Sequence, residues 1–428
     1  MRILVLGSGG REHAIVTKLA ESQKADTIYV APGNGGTATI AENVVVDADD
    51  GQAVLEFARG NGVGLVVIGP EAPLVAGVAD VVRDGGIPVF GPGAAGARIE
   101  GSKEFAKQLM HRHDIPAGFS EAFTDEAAAM EYLDEVSAPI VVKADGLAAG
   151  KGVTVAMDIH TAREAVRECF AGRFGDAGST VLIEEFLRGP ECSLLAFVDG
   201  EAVIPMAPAQ DHKRAYDGDE GPNTGGMGVY SPVPIVDEAE HAVMVELLER
   251  TAKGLAEEGI DYRGVLYGGF ILTDEGPKLL EFNARFGDPE TQVLLPRLDG
   301  DLADIMLATA EGRLAEVDLA WRDEWAVSVV LASGGYPNDY ETGKAISGIS
   351  DAEALPDVTV YHAGTMLDDS GVLVTAGGRV LNVTALGADF SSARDRAYEA
   401  VARISWDGMF FRTDIGARAM RGRAAWES

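Results

Sequence analysis

The sequence Lys143-Ala-Asp-Gly-Leu-Ala-Ala-Gly-Lys-Gly152 joins two short apolar segments, residues 140–143 and 152–156, that we predict to be strands. A loop made of small residues lets backbone N–H groups approach a polyphosphate without hindrance from side chains. The run is not a P-loop, because no G-K-[ST] opens a helix. An ordinary glycine-rich hairpin explains it equally well, so this run alone leaves polyphosphate binding open.

A second run, Lys278-Leu-Leu-Glu-Phe-Asn-Ala-Arg-Phe-Gly-Asp288, carries polar residues at alternate positions of a predicted strand. Glu281 and Asn283 therefore share one face, and Arg285 joins them if the strand persists. A carboxylate and an amide oxygen suit Mg²⁺ carried on a nucleotide, and an arginine suits a transferring phosphoryl group. A half-buried strand with a polar outer face explains Glu281 but not the whole run.

The run Val181-Leu-Ile-Glu-Glu-Phe-Leu187 ends a predicted strand with two carboxylates beside a bulky apolar pair. A purine needs apolar contacts on its faces and hydrogen-bond partners at its edge. Taken in isolation, a strand end with solvated acids is the more common cause of such a run.

The run Gly7-Ser-Gly-Gly-Arg-Glu-His13 follows a predicted strand and precedes a predicted helix. Glu12 stands where the dinucleotide motif G-x-G-x-x-G needs its third glycine, which argues against NAD or FAD. A tight turn is one explanation. We favour a phosphate held by the N–H groups of the helix N-terminus.

Five apolar runs in the first hundred residues alternate with helical stretches and glycine- or proline-rich loops, which predicts parallel strands with crossover helices. The runs are residues 3–6, 27–30, 44–46, 65–68 and 87–90. Ligands of open α/β sheets bind beyond the carboxyl ends of the strands, so a substrate site is expected there.

After the first hundred residues the regular alternation of predicted strands and helices ends. Residues 207–234 form a long stretch rich in glycine, proline and polar residues, which we interpret as a functional loop. Further strands are predicted at 181–185, 193–198, 264–272, 277–283, 326–331, 372–375 and 379–386, and helices at 102–112, 162–170, 237–258 and 391–404.

The composition excludes several functions. The chain of 428 residues carries 68 acidic and 35 basic residues, a formal net charge of −33, and such a field repels nucleic acid. No apolar run approaches the ~18 residues of a membrane span, so no membrane partner is expected. Only two cysteines occur, in no metal-ligand spacing, which indicates a reducing, cytoplasmic setting.

Together these runs resemble one family, the phosphoribosylamine–glycine ligases of the ATP-grasp superfamily, almost from end to end. The runs 221–228 and 286–292 are typical of this ligase and not of ATP-grasp enzymes generally. The resemblance implies an α/β fold in three parts. These are a Rossmann-like, substrate-binding domain at 1–101, an ATP-grasp domain at 102–324 with a small lid at about 122–190, and a C-terminal α+β domain at 325–428.

The family joins glycine to 5-phosphoribosylamine, giving glycinamide ribonucleotide, ADP and phosphate through a glycyl phosphate intermediate, in the second step of de novo purine biosynthesis. The resemblance assigns ATP binding to Lys103, Lys143, Gly146, Gly150, Lys151, Gly152, Glu184, Glu185, Phe186, Leu187 and Glu191. It assigns Mg²⁺ or Mn²⁺ to Glu281 and Asn283, and catalysis to Arg285, Asp211 and Lys213. Substrate binding falls to Gly9, Gly10, Asn34, Glu71, Thr224 and Gly225. A monomer is expected, with transient contact to the preceding enzyme of the pathway.

Two other functions compete with this one. Another carboxylate–amine ligase or a biotin-dependent carboxylase would share the ATP residues and differ in the acceptor. A nucleotide-sensing or scaffold protein on the same fold would be expected to lack Glu281, Asn283 or Arg285, and all three are present. The excess of acids and the scarcity of lysine also predict a protein adapted to molar salt.

Overall fold

A computed structural model describes residues 1–147 and 152–420, apart from the side chain of Asp176. The predicted ATP-binding residues Gly150 and Lys151 lie outside the described residues. Among the described residues, no helix has both the length and the apolar character needed to span a bilayer.

The N-terminal part is a five-stranded parallel sheet with the strand order β3-β2-β1-β4-β5. Strand β1 is buried at every position after Arg2, because its central place in the sheet covers both faces. The elements are β1 Arg2–Gly7, α1 Gly10–Ala20, β2 Thr27–Pro32, α2 Thr37–Ile40, β3 Glu42–Asn43, α3 Gly51–Gly60, β4 Val63–Ile68, α4 Glu71–Val75, α5 Val78–Asp84, β5 Val89–Phe90, α6 Ala94–Gly101 and α7 Lys103–Arg112.

The middle part contains two four-stranded sheets with the orders β6-β9-β7-β8 and β11-β10-β16-β17. The first sheet and helices α8 and α9 enclose a separate small core that includes Leu133, Val142, Val166 and Ile183. The elements are β6 Ser120–Phe123, α8 Glu126–Glu135, β7 Ile140–Ala144, β8 Val153–Ala156, α9 Ile159–Phe170, β9 Val181–Glu185, β10 Glu191–Val198, β11 Val203–Pro205, β12 Gln210–Asp211, β13 Arg214–Tyr216, β14 Glu220–Asn223, β15 Gly228–Ser231, α10 Glu238–Glu257, β16 Gly264–Thr273, β17 Gly276–Asn283, α11 Thr291–Leu294, β18 Leu298–Asp299 and α12 Leu302–Glu311.

The C-terminal part is built on a five-stranded sheet with the order β12-β15-β20-β24-β21. Its first two strands precede residue 325, so this sheet takes strands from both sides of the predicted domain boundary. The remaining elements are β19 Ala320–Trp321, β20 Trp325–Ala332, α13 Ile349–Glu353, β21 Val358–His362, β22 Thr365–Leu367, β23 Leu373–Thr375, β24 Arg379–Gly387 and α14 Phe390–Val401.

Two sequence-based predictions of local structure are wrong. The apolar run 44–46 is not a strand; β3 is the two residues before it, and Val45 is fully exposed. The stretch 207–234 is not an open loop, because it folds into β12, β13, β14 and β15. Its glycines and prolines concealed these short strands, of which β13 pairs with β14 and β12 with β15, while β15 also pairs with the distant β20.

Candidate active site

A cavity of about 870 Å³ lies where the three parts of the chain meet. The N-terminal part contributes Arg11 and Glu71, and the C-terminal part contributes Tyr336 and Arg379. The residues from our sequence-based prediction that line it are Glu71, Lys103, Lys143, Gly146, Gly152, Glu184, Glu185, Phe186, Leu187, Glu191, Asp211, Lys213, Thr224, Gly225, Glu281, Asn283 and Arg285. Gly9, Gly10 and Asn34 are not among the lining residues.

One side of the cavity, here named the lysine wall, consists of Lys103, Lys107 and Lys143 around Glu184. The Glu184 carboxylate is almost fully buried and lies 2.9 Å from the Lys143 ammonium and 3.0 Å from that of Lys107. Burial would raise the pKa of Glu184, but Lys143 and Lys107 lower it below its usual value. The wall therefore holds an ionised carboxylate under surplus positive charge, an arrangement that suits polyphosphate.

Lys107 was missed by sequence reasoning, although a signal for it exists. It follows Lys103 by four residues on helix α7, and residues four apart on a helix lie on the same face. Lys103 itself donates a hydrogen bond from Nζ to the carbonyl oxygen of Gly146, at 2.8 Å, which connects α7 to the start of the glycine-rich hairpin.

The carboxylates of Glu281 and Glu191 flank Lys213, whose Nζ lies 2.9 Å from Glu191 and 3.5 Å from Glu281. The ammonium group of Lys213 is the main reason that the pKa of Glu281 falls to about 2. Burial alone would lower the pKa of Lys213, but Glu191 and Glu281 raise it well above its usual value. Glu281 is therefore ionised at any physiological pH.

Glu281 and Asn283 occupy alternate positions of β17 and both line the cavity. Among the described residues there is no group of three or more His, Cys, Asp or Glu side chains placed to hold a metal. An ionised carboxylate with one amide oxygen nevertheless fits a divalent ion that takes most of its ligands from nucleotide phosphates and water.

Asp211 differs sharply from Glu281, although both interact with Lys213. Burial raises the pKa of Asp211 to about 7; Lys213 opposes this shift and Glu290 reinforces it. A carboxyl group with this pKa can accept a proton near neutral pH.

A second set of cavity-lining residues, here named the arginine wall, consists of Arg11, Arg285 and Arg379 with their carboxylate partners. Arg285 donates from Nη2 to Glu100 at 2.7 Å, and its Nε lies 3.4 Å from Glu71. Glu100 also accepts the Ala284 N–H at 2.8 Å. Burial opposes the charge of Arg285, but Glu100 and Glu71 raise its pKa, so the guanidinium is fixed and ionised. Sequence reasoning assigned no chemistry to Glu100.

Arg379 joins the C-terminal part to two loops of the middle part. Its Nη1 donates to the carbonyl oxygens of Gly225, at 2.5 Å, and Asp288, at 2.8 Å, and its Nη2 lies 3.1 Å from the Asp288 carboxylate. Gly225 also donates its N–H to the Tyr336 hydroxyl at 3.2 Å. Nothing local in the sequence marks Arg379 or Tyr336 for this position, because their partners are 91 to 154 residues away.

The loop after β1 argues against one part of our prediction. The Gly9 N–H donates to Oε2 of Glu12 at 2.6 Å, within the N-terminal turn of α1. The Glu12 carboxylate, itself paired with Arg11 at 2.6 Å, thus takes the Gly9 N–H that we predicted would bind a phosphate. The Asn34 side chain is also engaged: its amide donates to the Ser8 and His362 carbonyls, and its oxygen accepts the N–H groups of Gly36 and Thr37.

Comparison with known proteins connects this geometry to a family. The profile described as "Phosphoribosylglycinamide synthetase, N domain" matches residues 1–100, the ATP-grasp (A) domain profile matches 101–291, and the C domain profile matches 326–418. This chain belongs to the phosphoribosylglycinamide synthetase family, the phosphoribosylamine–glycine ligases. A phosphoribosylamine–glycine ligase of Allochromatium vinosum is 53% identical over 98% of this chain and 99% of the relative. That of Escherichia coli O6:H1 is 51% identical over 98% and 99%.

Solved structures agree with the family. The phosphoribosylamine–glycine ligase of Thermotoga maritima superposes with a TM-score of 0.85 at 35% identity, covering 97% of this chain and all of that one. A biotin carboxylase domain of the Hydrogenobacter thermophilus 2-oxoglutarate carboxylase, determined with MgADP, has a TM-score of 0.75 at 15% identity, covering 96% of this chain and 91% of that one. At that identity the likeness extends to the fold alone, which is the predicted three-part α/β architecture with an ATP-grasp module.

Proposed function

We propose that this chain ligates glycine to 5-phosphoribosylamine at the expense of ATP, yielding glycinamide ribonucleotide, ADP and phosphate. The observation that carries the proposal is the place of Arg285. Its guanidinium lies 3.2 Å from the Asn283 oxygen, beside the proposed metal position, and within 2.7 Å of Glu100 on the arginine wall. A fixed cation between a nucleotide position and a second substrate position suits phosphoryl transfer onto a carboxylate.

The reaction proceeds in two balanced steps. An oxygen of the glycine carboxylate attacks the γ-phosphorus of ATP, the bond to the β,γ-bridging oxygen breaks, and ADP leaves. The amine of phosphoribosylamine then attacks the carbonyl carbon of glycyl phosphate, and inorganic phosphate leaves as the amide bond forms. The nitrogen loses one proton, and Asp211, with a pKa of about 7, accepts it.

The lysine wall supplies the nucleotide site in this proposal. Lys103 and Lys143 hold the phosphates beside Gly146 and Gly152, Glu184–Leu187 surrounds the adenine, and Glu191 accepts the ribose hydroxyls. Glu281 and Asn283 hold Mg²⁺ or Mn²⁺, which neutralises phosphate charge when bound. Lys213, between Glu191 and Glu281, orients the reacting groups.

Product analysis tests the proposal. The purified chain is incubated with ATP, glycine and freshly generated phosphoribosylamine, and the products are separated by mass. We expect glycinamide ribonucleotide and ADP in equal amounts, both dependent on glycine. ADP release that depends on bicarbonate or on another amine, without glycinamide ribonucleotide, would favour a carboxylase or a different ligase and overturn the proposal.

The setting of the enzyme is also proposed. We infer a cytoplasmic monomer that receives its unstable amine by transient contact with the enzyme that makes it. The charge of −33 supports a cell interior rich in salt, where dense surface carboxylates are screened.

A further inference from the structure

The cations that line the cavity differ in whether a carboxylate neutralises them. Each of the described lining arginines and lysines has a carboxylate oxygen within 4.0 Å, except Lys103 and Arg214. Lys103 belongs to the lysine wall. Arg214 lies elsewhere, on β13, and sequence reasoning gave it no role.

The backbone of Arg214 is held firmly. It pairs with Asn223 across the β13–β14 ribbon, and its carbonyl oxygen accepts a hydrogen bond of 3.0 Å from Nη1 of the buried Arg412. The side chain donates from Nη1 to the Gly221 carbonyl at 2.8 Å. A guanidinium carries five N–H groups, so this one bond orients the group and leaves the others available.

The neighbours of Arg214 in the cavity suit an anion. Thr224 and Gly225 follow its partner strand, and Tyr336 reaches the same loop from the C-terminal part. The Tyr336 hydroxyl already accepts the Gly225 N–H at 3.2 Å, so its own hydrogen remains free to donate. An arginine and a tyrosine hydroxyl together form a donor set for a phosphate, whereas the Thr224 hydroxyl already donates to the Lys213 carbonyl oxygen.

We propose that Arg214, with the Tyr336 hydroxyl, binds the 5-phosphate of phosphoribosylamine. The inference rests on the proposed function, whose substrates bring three anionic groups to the cavity. The lysine wall accounts for the polyphosphate and Arg285 for the glycine carboxylate. The sugar phosphate remains, as does the Arg214 guanidinium, which has no carboxylate oxygen within 4.0 Å among the described residues. The Gly9 loop is a poorer phosphate site because the Glu12 carboxylate already occupies it.

Steady-state kinetics of Arg214→Gln tests the proposal. We expect the KM for phosphoribosylamine to rise roughly 10- to 100-fold, as for loss of a hydrogen bond to a charged group, while kcat and the KM values for ATP and glycine change less than about twofold. Arg214→Lys keeps the charge but lacks the paired N–H donors of the planar guanidinium, so its KM for phosphoribosylamine should lie between those of the wild type and Arg214→Gln. Arg59→Gln is the matched control, since Arg59 also makes a single bond to a backbone carbonyl, that of Gly85, and does not line the cavity.

A stable probe separates phosphate binding from a structural role. Ribose 5-phosphate should inhibit the wild-type enzyme competitively with phosphoribosylamine, ribose should not, and Arg214→Gln should lose this inhibition. Tyr336→Phe, which removes only an oxygen, should weaken it about threefold or more. A rise in the KM for ATP or glycine instead, or unchanged inhibition in both variants, would overturn the assignment. If the wild-type enzyme forms no glycinamide ribonucleotide, the proposed function itself fails, and that outcome is distinguishable.

Discussion

The lysine wall and the arginine wall hold positive charge in opposite ways. Around Glu184, two ammonium groups share one carboxylate and Lys103 has none, so positive charge is in excess. On the arginine wall, Arg285 lies against two carboxylates and Arg379 against one. A polyphosphate needs net positive charge, whereas a transferring group needs a charge whose position is fixed before the reaction. We therefore propose that the lysine wall serves nucleotide affinity and that the arginine wall serves orientation of the transferring group.

Removing Arg285 should produce the largest effect, because it tests whether the arginine wall acts in the transition state. For Arg285→Ala we expect kcat to fall roughly 10²- to 10⁴-fold while the Kd for ATP changes little. Single-turnover kinetics and nucleotide titration measure the two quantities.

Two variants make this comparison specific. Arg285→Lys keeps the charge but loses the bonds to Glu100 and Asn283, so it should remain at least about tenfold impaired. Lys103→Ala should behave in the opposite way: its affinity for ATP should fall, whereas kcat should change less than in Arg285→Ala. An Arg285→Ala enzyme with more than a third of the wild-type kcat would remove this residue from the chemistry.

The two walls also differ in how far the sequence predicts them. The strands that carry the lysine wall were predicted to within one residue, because β7 and β9 are short, apolar and bounded by glycine or charge. The cores of β16, β17, α7 and α10 were predicted similarly well. In these elements the local sequence pattern and the tertiary packing favour the same secondary structure.

Sequence reasoning predicted only part of the arginine wall. Arg285 lies in a recognisable run, but Glu100 pairs with Arg285, and Arg379 with Asp288, through contacts that no local period encodes. Strand β15 was missed for the same reason, because it is held by β20, almost a hundred residues later. The assignments to individual site residues remain predictions that the experiments here test.

Asp211 should control the pH dependence of the second step. Because its pKa is about 7, the ionised base is lost tenfold per pH unit below that value. We expect kcat/KM for phosphoribosylamine to rise with pH up to about 7 and then level, and Asp211→Asn to lose about 10²-fold and flatten the profile. A profile unchanged in this variant would exclude Asp211 as the base.

The same shift has a consequence for stability whose sign is opposite to that of an ordinary paired carboxylate. The pKa of Asp211 rises from 3.8 to about 7 on folding. The folded state therefore binds more protons in this range, and the stabilisation present below pH 3.8 is lost as the pH rises through 7. Urea denaturation should show the free energy of unfolding of Asp211→Asn varying less with pH between 5 and 8 than that of the wild type.

Glu281→Gln should have a narrower effect, since it tests the proposed metal ligand. Glu281 is ionised because Lys213 lowers its pKa to about 2, and the amide is a weaker ligand for a hard cation. We expect the Mg²⁺ concentration for half-maximal rate to rise about tenfold, with ATP affinity in chelator unchanged. Glu275→Gln, at an exposed carboxylate paired with Lys278, is the control. Equal Mg²⁺ titrations for both variants would make Glu281 structural.

The smallest effect concerns the surface, where the charge is the reverse of that in the lysine wall. The chain has ten lysines, and of the nine that the structure describes four line the cavity: Lys103, Lys107, Lys143 and Lys213. Residues 121–135 expose six carboxylates and contain no basic residue. Dense surface carboxylates repel one another and disfavour the compact state. Screening shortens that repulsion from ~10 Å at 0.1 M salt to ~3 Å at 1 M.

Raising KCl from 0.1 to about 2 M should therefore increase the Tm steadily by several degrees, while activity persists because the paired charges of the arginine wall are shielded from solvent. Sucrose at matched osmolality is the control, since it is preferentially excluded from the protein surface but does not screen charge. A GC-rich genome would explain few lysines through codon use, but not the excess of 68 acidic over 35 basic residues. A Tm that is flat in KCl, with activity lost above about 0.5 M, would show that the surface charge is not an adaptation to salt.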